Sequence, residues 1–560
     1  MTTSAPAPRT PSDVDRIAEA WHATSVELRP ERRVELGLEG DRSAYGDYSP
    51  ARFDAERAAA QHVLEELDGV EPVDDVDRVT LLELRRTLGL ELESLDAQLG
   101  YRDLSNIASP AQDVRMTFDL MPTATSDDLD AIARRLANVP AALRGYTETL
   151  REGIRRGVVP ARRQVEEVIT QTRAYATPGG FFTGLTQLAP EGVDVSEGLR
   201  ADLERGASEA EGAYGDLAAF LTDELAPAAT EVDAVGRTHY ALASRGFLGA
   251  AVDLDETYEW GLAELARMVA EQESIANEIL PGASVGEAID HLDADPARKL
   301  HGTDALRAWM QTTSDAAVEA LAGSHFDIPE PLRRLECLIA PTEEGAIYYT
   351  GPSEDFSRPG RMWWSVTPGV TEFDTWRELT TVYHEGVPGH HLQVGRATYL
   401  HEQLNSWRRD NWTSGHGEGW ALYAERLMEG LGFLADPADR LGMLDGQRMR
   451  AARVVLDIGV HLGKEVPEGG RVWDYDYALD FLGRHVNMPA GFVRFEVNRY
   501  FGWPGQAPSY KIGQRVWEEL RDESARREGD AFDLRAWHSR ALDLGGVGLD
   551  TLREVLAPAE

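Results

Sequence analysis

A single cysteine, Cys337, stands among the 560 residues, so intramolecular disulfides and thiolate metal clusters are excluded, and any metal must be held by His and carboxylates. Lysine is almost absent: only Lys299, Lys464 and Lys511 occur, and arginine supplies every other side-chain cation of that kind. Positive charge is short overall, with 56 Lys+Arg against 96 Asp+Glu and a net charge of −40, which disfavours nucleic-acid backbones and anionic lipid surfaces as partners. There is no run of about 18 apolar residues, and no basic segment followed by an apolar one opens the chain. With the lone cysteine, this points to a cytoplasmic protein of a reducing compartment. No internal repeat or low-complexity block is present. What remains is an ordinary globular composition, 42% hydrophobic and 27% charged, long enough to bury a large core.

Residues 1–13, rich in Thr, Ser, Ala and Pro, read as a disordered start. From Val14 to about Pro331 apolar residues recur near the 3.6 period, as in Leu81, Leu82, Leu84, Leu88 and Leu92, which predicts amphipathic helices. Breaks are expected at Pro110, Pro122, Pro140, Pro160, Pro178, Pro190, Pro227 and Pro281, giving about ten helices. Around Cys337 to Pro368 the pattern changes: Ala346–Tyr349 and Met362–Val366 are short, aromatic and bounded by Gly and Pro, which predicts a small β-sheet. A helix then begins near Asp374, where Thr375-Trp376-Arg377-Glu378 has capping-box form.

That helix runs into Tyr383-His384-Glu385-Gly386-Val387-Pro388-Gly389-His390-His391, and a second helical stretch opens at Gly417-Glu418-Gly419. Zinc hydrolases of the HExxH type set two His one turn apart, take a carboxylate from a neighbouring helix as third ligand, and use the Glu beside the first His as general base. Here Pro388 occupies the fourth position after His384, and the next histidines come six and seven residues on. In a regular helix a residue at i+6 is rotated by about 240° and raised by about 9 Å, so His384 and His390 would face apart. Pro388 followed by Gly389 is expected to bulge or kink the helix and return His390 to the metal face. His391 is the alternative, on the same face as His384 but about 10.5 Å along the axis. Glu418 is the favoured third ligand, set between glycines that permit close backbone approach, while Glu425 and Glu429 remain available. Zinc suits this donor set, as Mn or Co also would.

The segments HEGVPGHH, GHGEGWALYAE and PGQAPSYKIG, the last at 504–513, resemble the bacterial family catalogued as domain of unknown function 885, over about Val14 to Val555. That family resembles a branch of the helical gluzincin metallopeptidases, similar in plan to carboxypeptidase Taq, thimet oligopeptidase and angiotensin-converting enzyme, and dipeptidyl peptidase III shows a similarly lengthened zinc motif. The resemblance implies His384, His390 and Glu418 as ligands of one zinc per chain, Glu385 as general base, and Arg361 to Val366 as an edge strand that pairs with an extended peptide. Relatives draw an oxyanion stabiliser from a late helix, for which Tyr510 is the candidate. Arg499 and Lys511 are candidates for gripping a peptide carboxylate, with Gln506 beside them and His391 as a support behind the metal ligands or a further substrate contact.

The expected fold is mainly α, two-lobed and gluzincin-like, with a small β-sheet beside the zinc helix: a helical lobe over 14–335 and a catalytic zinc lobe over 336–560, forming one interlocked body. The expected activity is zinc-dependent hydrolysis of short peptides, of carboxypeptidase or oligopeptidase type. A zinc amidase acting on a non-peptide or modified amide, and a metal-holding binding protein in which His391 closes the site, are the alternatives. Oligomeric state is not legible.

Overall fold

The computed structural model describes residues 8–190, 192–340 and 347–557. Most of the expected disordered start and Ala346 of the expected strand lie outside the described residues. Within them the start is tied down. Arg9 pairs with Asp15, Asp74 and Asp77, and Ser12 caps the helix Asp13–Leu28 through a capping box with Asp15.

The protein is mainly helical, with two lobes and a small sheet. In the N-terminal lobe the long helices Ser126–Arg156 and Glu197–Phe220 pack side by side, burying Leu129, Leu136, Leu143, Leu203 and Tyr214 with the helix Arg162–Tyr175 across them. Pro140, expected as a break, lies inside Ser126–Arg156. One backbone bond is lost there, but Leu136, Val139, Leu143 and Tyr146 are buried on either side and hold the helix together.

The second body is built around Pro437–His461, a helix buried along most of its length. Its run Val454-Val455-Leu456 and Ile458 is apolar on several faces because Leu254–Ile279, Thr375–Glu385, Tyr475–His485 and Ser509–Glu528 surround it. The buried residues fall into several clusters that join distant parts of the chain, one of them grouping Val14, Trp21, Leu84 and Leu88 with Trp407. Leu265, Met268 and Ile275 share one cluster with Val454 and Trp517, because the segment from 237 onward packs on the elements of the histidine-rich region.

The sheet joins Leu335–Ile339, Gly360–Trp364 and Ile347–Thr350, with Gly360–Trp364 in the centre, parallel to the first and antiparallel to the last. Trp364, Met362 and Cys337 pack with Val382 and with Leu306 and Met310 of the helix Thr303–Leu321, which ties the sheet to the His384 helix. Arg361 to Val366 is therefore not a free edge, because its strand is paired on both sides. Ile347–Thr350 is the edge whose Tyr348 lines the space between the lobes. That cleft, of about 1910 Å³, is bounded by residues from both lobes.

Candidate metal centre

Thr375–Glu385 buries Trp376, Val382 and Tyr383 and delivers His384 in its last turn. Its N-cap is Asp374, and Thr375 Oγ1 donates to the Arg298 carbonyl at 3.0 Å, so the capping box expected at 375–378 does not form. The expected bulge at Pro388 is a full break. One helix ends at Glu385, residues 386–389 form a link with a cis Val387–Pro388 peptide, and the next helix, His390–Tyr399, opens at His390. The rotation of a continuous helix no longer separates the histidines, and the His384 and His390 rings lie 4.8 Å apart at 89°. Gly389 is required here, since a Cβ on it would stand 1.8 Å from the His384 carbonyl oxygen.

Glu418 comes from the helix Ser414–Gly430, one turn inside it instead of at its start. The same helix fixes the link, because Trp420 Nε1 donates to the Pro388 carbonyl at 2.9 Å. Its glycines serve helix crossing: a Cβ on Gly419 would lie 2.5 Å from Gly513 of Ser509–Glu528, and one on Gly513 would lie 1.9 Å from the Gly415 carbonyl. This close crossing carries Tyr510 toward Glu418.

Glu418 Oε2 lies 3.4 Å from His384 Nε2 and 3.6 Å from His390 Nε2, and one donor atom from each of the three residues falls within 4.8 Å of the others. Donors set about 2.1 Å from a tetrahedral ion are about 3.4 Å apart, so the three fit a zinc-sized cation. His384 Nδ1 bonds Glu425 Oε1 at 2.8 Å, an arrangement that leaves Nε2 free to present its lone pair inward. Burial opposes protonation of His384, but Glu418 and Glu425 outweigh it and hold its pKa up at about 10. For Glu418 the two imidazoles outweigh burial and hold the carboxyl far below the usual range. Both effects mark a pocket that favours positive charge. Glu385 is buried beside the group, its Oε2 has no hydrogen-bond partner among the described residues, and burial pushes its carboxyl up against the pull of His390 and His384.

His391 lies apart from these residues. Its Nε2 bonds the Leu332 carbonyl at 2.8 Å and its Nδ1 bonds the Tyr349 hydroxyl at 3.0 Å, so both ring nitrogens are engaged and neither a ligand nor a substrate contact is available. Glu429 is paired with Arg426 at 2.6 Å. Lys511, expected to meet substrate, is buried instead: it donates to Gln447 at 2.8 Å and Gln514 at 2.9 Å and pairs with Glu264 at 3.0 Å. Its direction follows from helix packing, which turns it away from the cleft. Arg499 does line the cleft, but it donates to Glu496 at 3.1 Å and to Gln506 Oε1 at 2.6 Å, so Gln506 is occupied holding Arg499. Arg450 and Arg453 face the Tyr510 ring at 5.9 and 5.4 Å. Burial, with the Glu418 charge adding to it, pushes the Tyr510 hydroxyl pKa up, which sets the phenol in the electrostatic field of the centre.

Sequence reasoning missed Gln447 and Arg450 and the role of Glu425. Glu425, which the sequence left open as a ligand, lies seven residues after Glu418, two helical turns on the same face, and bonds His384 Nδ1. Gln447 Nε2 donates to Glu425 Oε2 at 2.9 Å, extending the support to Lys511 and Glu264. Arg450 acts electrostatically on Glu385 and Glu425, and its buried Nε has no partner among the described residues. Its position three residues before Arg453 on one helix face was the available signal.

His384, His390 and Glu418 form a group that could hold a cation, with the buried Glu385 carboxylate at its side, in a two-lobed helical protein. The chain belongs to the family described as bacterial protein of unknown function (DUF885), which it matches over residues 30–556. A protein from Colwellia psychrerythraea described as a candidate lipoprotein shares the fold at TM-score 0.83 and 21% identity, covering 98% of this chain and 99% of its own. A candidate lipoprotein of unknown function from Shewanella oneidensis does so at TM-score 0.74 and 16% identity, over 98% and 100%. A carboxypeptidase from Pyrococcus furiosus aligns at TM-score 0.41 and 11% identity, over 98% and 96%. No curated protein is similar in sequence at a significant level.

Proposed function

We propose that this chain hydrolyses peptide bonds in short peptides, with zinc held by His384, His390 and Glu418. The observation that carries the reading is the pairing of a three-donor set with Glu385, whose buried Oε2 has no partner among the described residues. A structural zinc site closes all four positions with protein ligands, whereas a catalytic one keeps a position open. His391 and Glu425, further possible donors, are engaged with the Leu332 carbonyl and with His384. Bound there, zinc supplies Lewis acidity toward the scissile carbonyl and lowers the pKa of water.

The protein's own groups do the rest. Glu385 takes a proton from the attacking water at its free Oε2 and returns it to the leaving amine. Tyr510 donates its hydroxyl to the oxygen on which negative charge develops, in the field of Arg450 and Arg453. The cleft takes an extended peptide, with Ile347–Thr350 offering an open strand edge. The buried, unpaired Cys337 supports a reducing compartment, the cytoplasm, for this chain, and no helix among the described residues is long and apolar enough to cross a membrane. The two relatives described as candidate lipoproteins make cell fractionation the direct check on that placement. The activity is tested by digesting a mixed short-peptide library with zinc-loaded protein and reading products by mass spectrometry. New termini that disappear on chelation and return with zinc are expected, and an intact library at full metal loading would refute the reading.

A further inference from the structure

Five large hydrophobic side chains stay exposed on the walls of one cleft: Met116, Leu120, Trp412, Phe492 and Phe495, at 48, 50, 50, 36 and 41% exposure. Grouped exposure of this kind marks a binding surface, because single exposed apolar residues are common but clusters are not. The five come from both lobes. Met116 and Leu120 belong to the N-terminal lobe, Phe492 and Phe495 sit one turn apart on the helix Ala490–Gly502, and Trp412 lies in the link before Ser414–Gly430.

Trp412 connects this surface to the metal centre. Its ring lies 5.6 Å from the His390 ring and rests on Gly417, where a Cβ would come within 2.2 Å of it. Gly417 immediately precedes Glu418, so the indole is seated against the elements that carry two of the three donors and still shows half its surface to the cleft. Walls drawn from two lobes around a common space suit an inserted side chain better than a flat protein surface. An indole with one face open offers stacking to an aromatic guest.

We propose that Trp412, with Phe492 and Phe495, forms the side-chain subsite of the substrate, and that the residue adjoining the cleaved bond carries a large apolar group, aromatic best of all. This rests on the peptidase reading. The test uses a tetrapeptide set in which each position in turn is Ala, Leu, Phe or Trp. Binding to zinc-loaded Glu385→Gln protein is measured by calorimetry, and hydrolysis separately with zinc-loaded wild type.

At one position, Phe or Trp should bind at least about tenfold tighter than Ala. Trp412→Ala should abolish that preference, read as the ratio of KM values for Phe and Ala peptides at matched metal content, and Trp412→Phe should keep most of it. Phe495→Ala, which touches no proposed metal ligand, should weaken the preference at unchanged metal content. Retention of the preference in both alanine variants, or its absence in wild type, would overturn the subsite. Hydrolysis without side-chain preference sinks the subsite alone, selective binding without hydrolysis sinks the peptidase reading and with it the placement beside a cleaved bond, and no binding by any member sinks both.

Discussion

His384 is held from two sides: Nε2 faces Glu418 and Nδ1 is bound to Glu425, which Gln447 and then Lys511 hold in turn. Such outer partners set ring orientation and basicity, so Gln447→Leu should lower metal affinity by about 10- to 100-fold, measured by competition with a chromophoric chelator. Lys511→Met should act in the same direction, and unchanged affinity in both would remove the supporting role. Tyr510→Phe should lower kcat by about 100-fold with metal content unchanged, and a wild-type kcat would exclude the phenol from oxyanion stabilisation. At this scale the sequence was legible where chemistry is scarce. With one cysteine, residue type confined any metal to His and carboxylates around His384, but the choice of His390 over His391 and of Glu418 over Glu425 needed the packing that brings His384, His390 and Glu418 together. Lys511 and His391 misled because type alone does not tell which way a side chain faces. Packing directs Lys511 to Glu264 and turns both His391 nitrogens onto Leu332 and Tyr349.

Two elements depend on glycines that admit no side chain. A methyl on Gly389 would collide with the His384 carbonyl at 1.8 Å, so Gly389→Ala should abolish stoichiometric metal binding while far-UV circular dichroism stays near wild type. Gly513→Ala should force apart the crossing that brings Tyr510 toward Glu418, lowering both Tm and kcat. Gly430→Ala, with nothing within 4 Å of its Cβ, is the control that should change neither. Asp457 anchors the segment before Tyr510, its Oδ2 accepting from Tyr240 at 2.6 Å and from the Gly505 N–H at 2.9 Å. Burial pushes its carboxyl up to about 7 from 3.8, so the folded protein retains a proton that the unfolded chain has released. This group therefore costs stability as pH rises from about 4 to about 7. Asp457→Asn should raise Tm relative to wild type at pH 8 and not at pH 4, and an equal shift at both would show that the carboxyl is not the cause. Helices and the short aromatic strands were legible from periodicity. The full break at 386–389 and the continuity of Ser126–Arg156 through Pro140 were not, because each is decided by tertiary packing around the proline.

For the molecule as a whole, the excess of acidic residues and the interlobe cleft, of about 1910 Å³, whose wall residue Trp412 lies against His390, bear on what can approach the centre. A cleft bounded by helices admits extended chains and excludes folded domains, so short peptides should be cut while a stably folded protein with the same cleavable sequence in a surface loop stays intact. Equal cleavage of both would show an open, surface-acting site. The mainly helical two-lobed plan was readable, but how its helices group into cores was not. Residues 237–335 look in sequence like the helices before them, and only the packing of Leu254–Ile279 on Pro437–His461 and of Thr303–Leu321 on Leu335–Ile339 joins them to the body that carries His384, His390 and Glu418. The most direct measurement is metal content per chain together with peptide hydrolysis for wild type and Glu385→Gln, both loaded with zinc. One metal in each protein, with hydrolysis by wild type and a loss of at least about 100-fold in the variant, is the expected result. No bound metal under any loading condition, or equal hydrolysis by both proteins, would contradict the assignment of His384, His390, Glu418 and Glu385 to this chemistry.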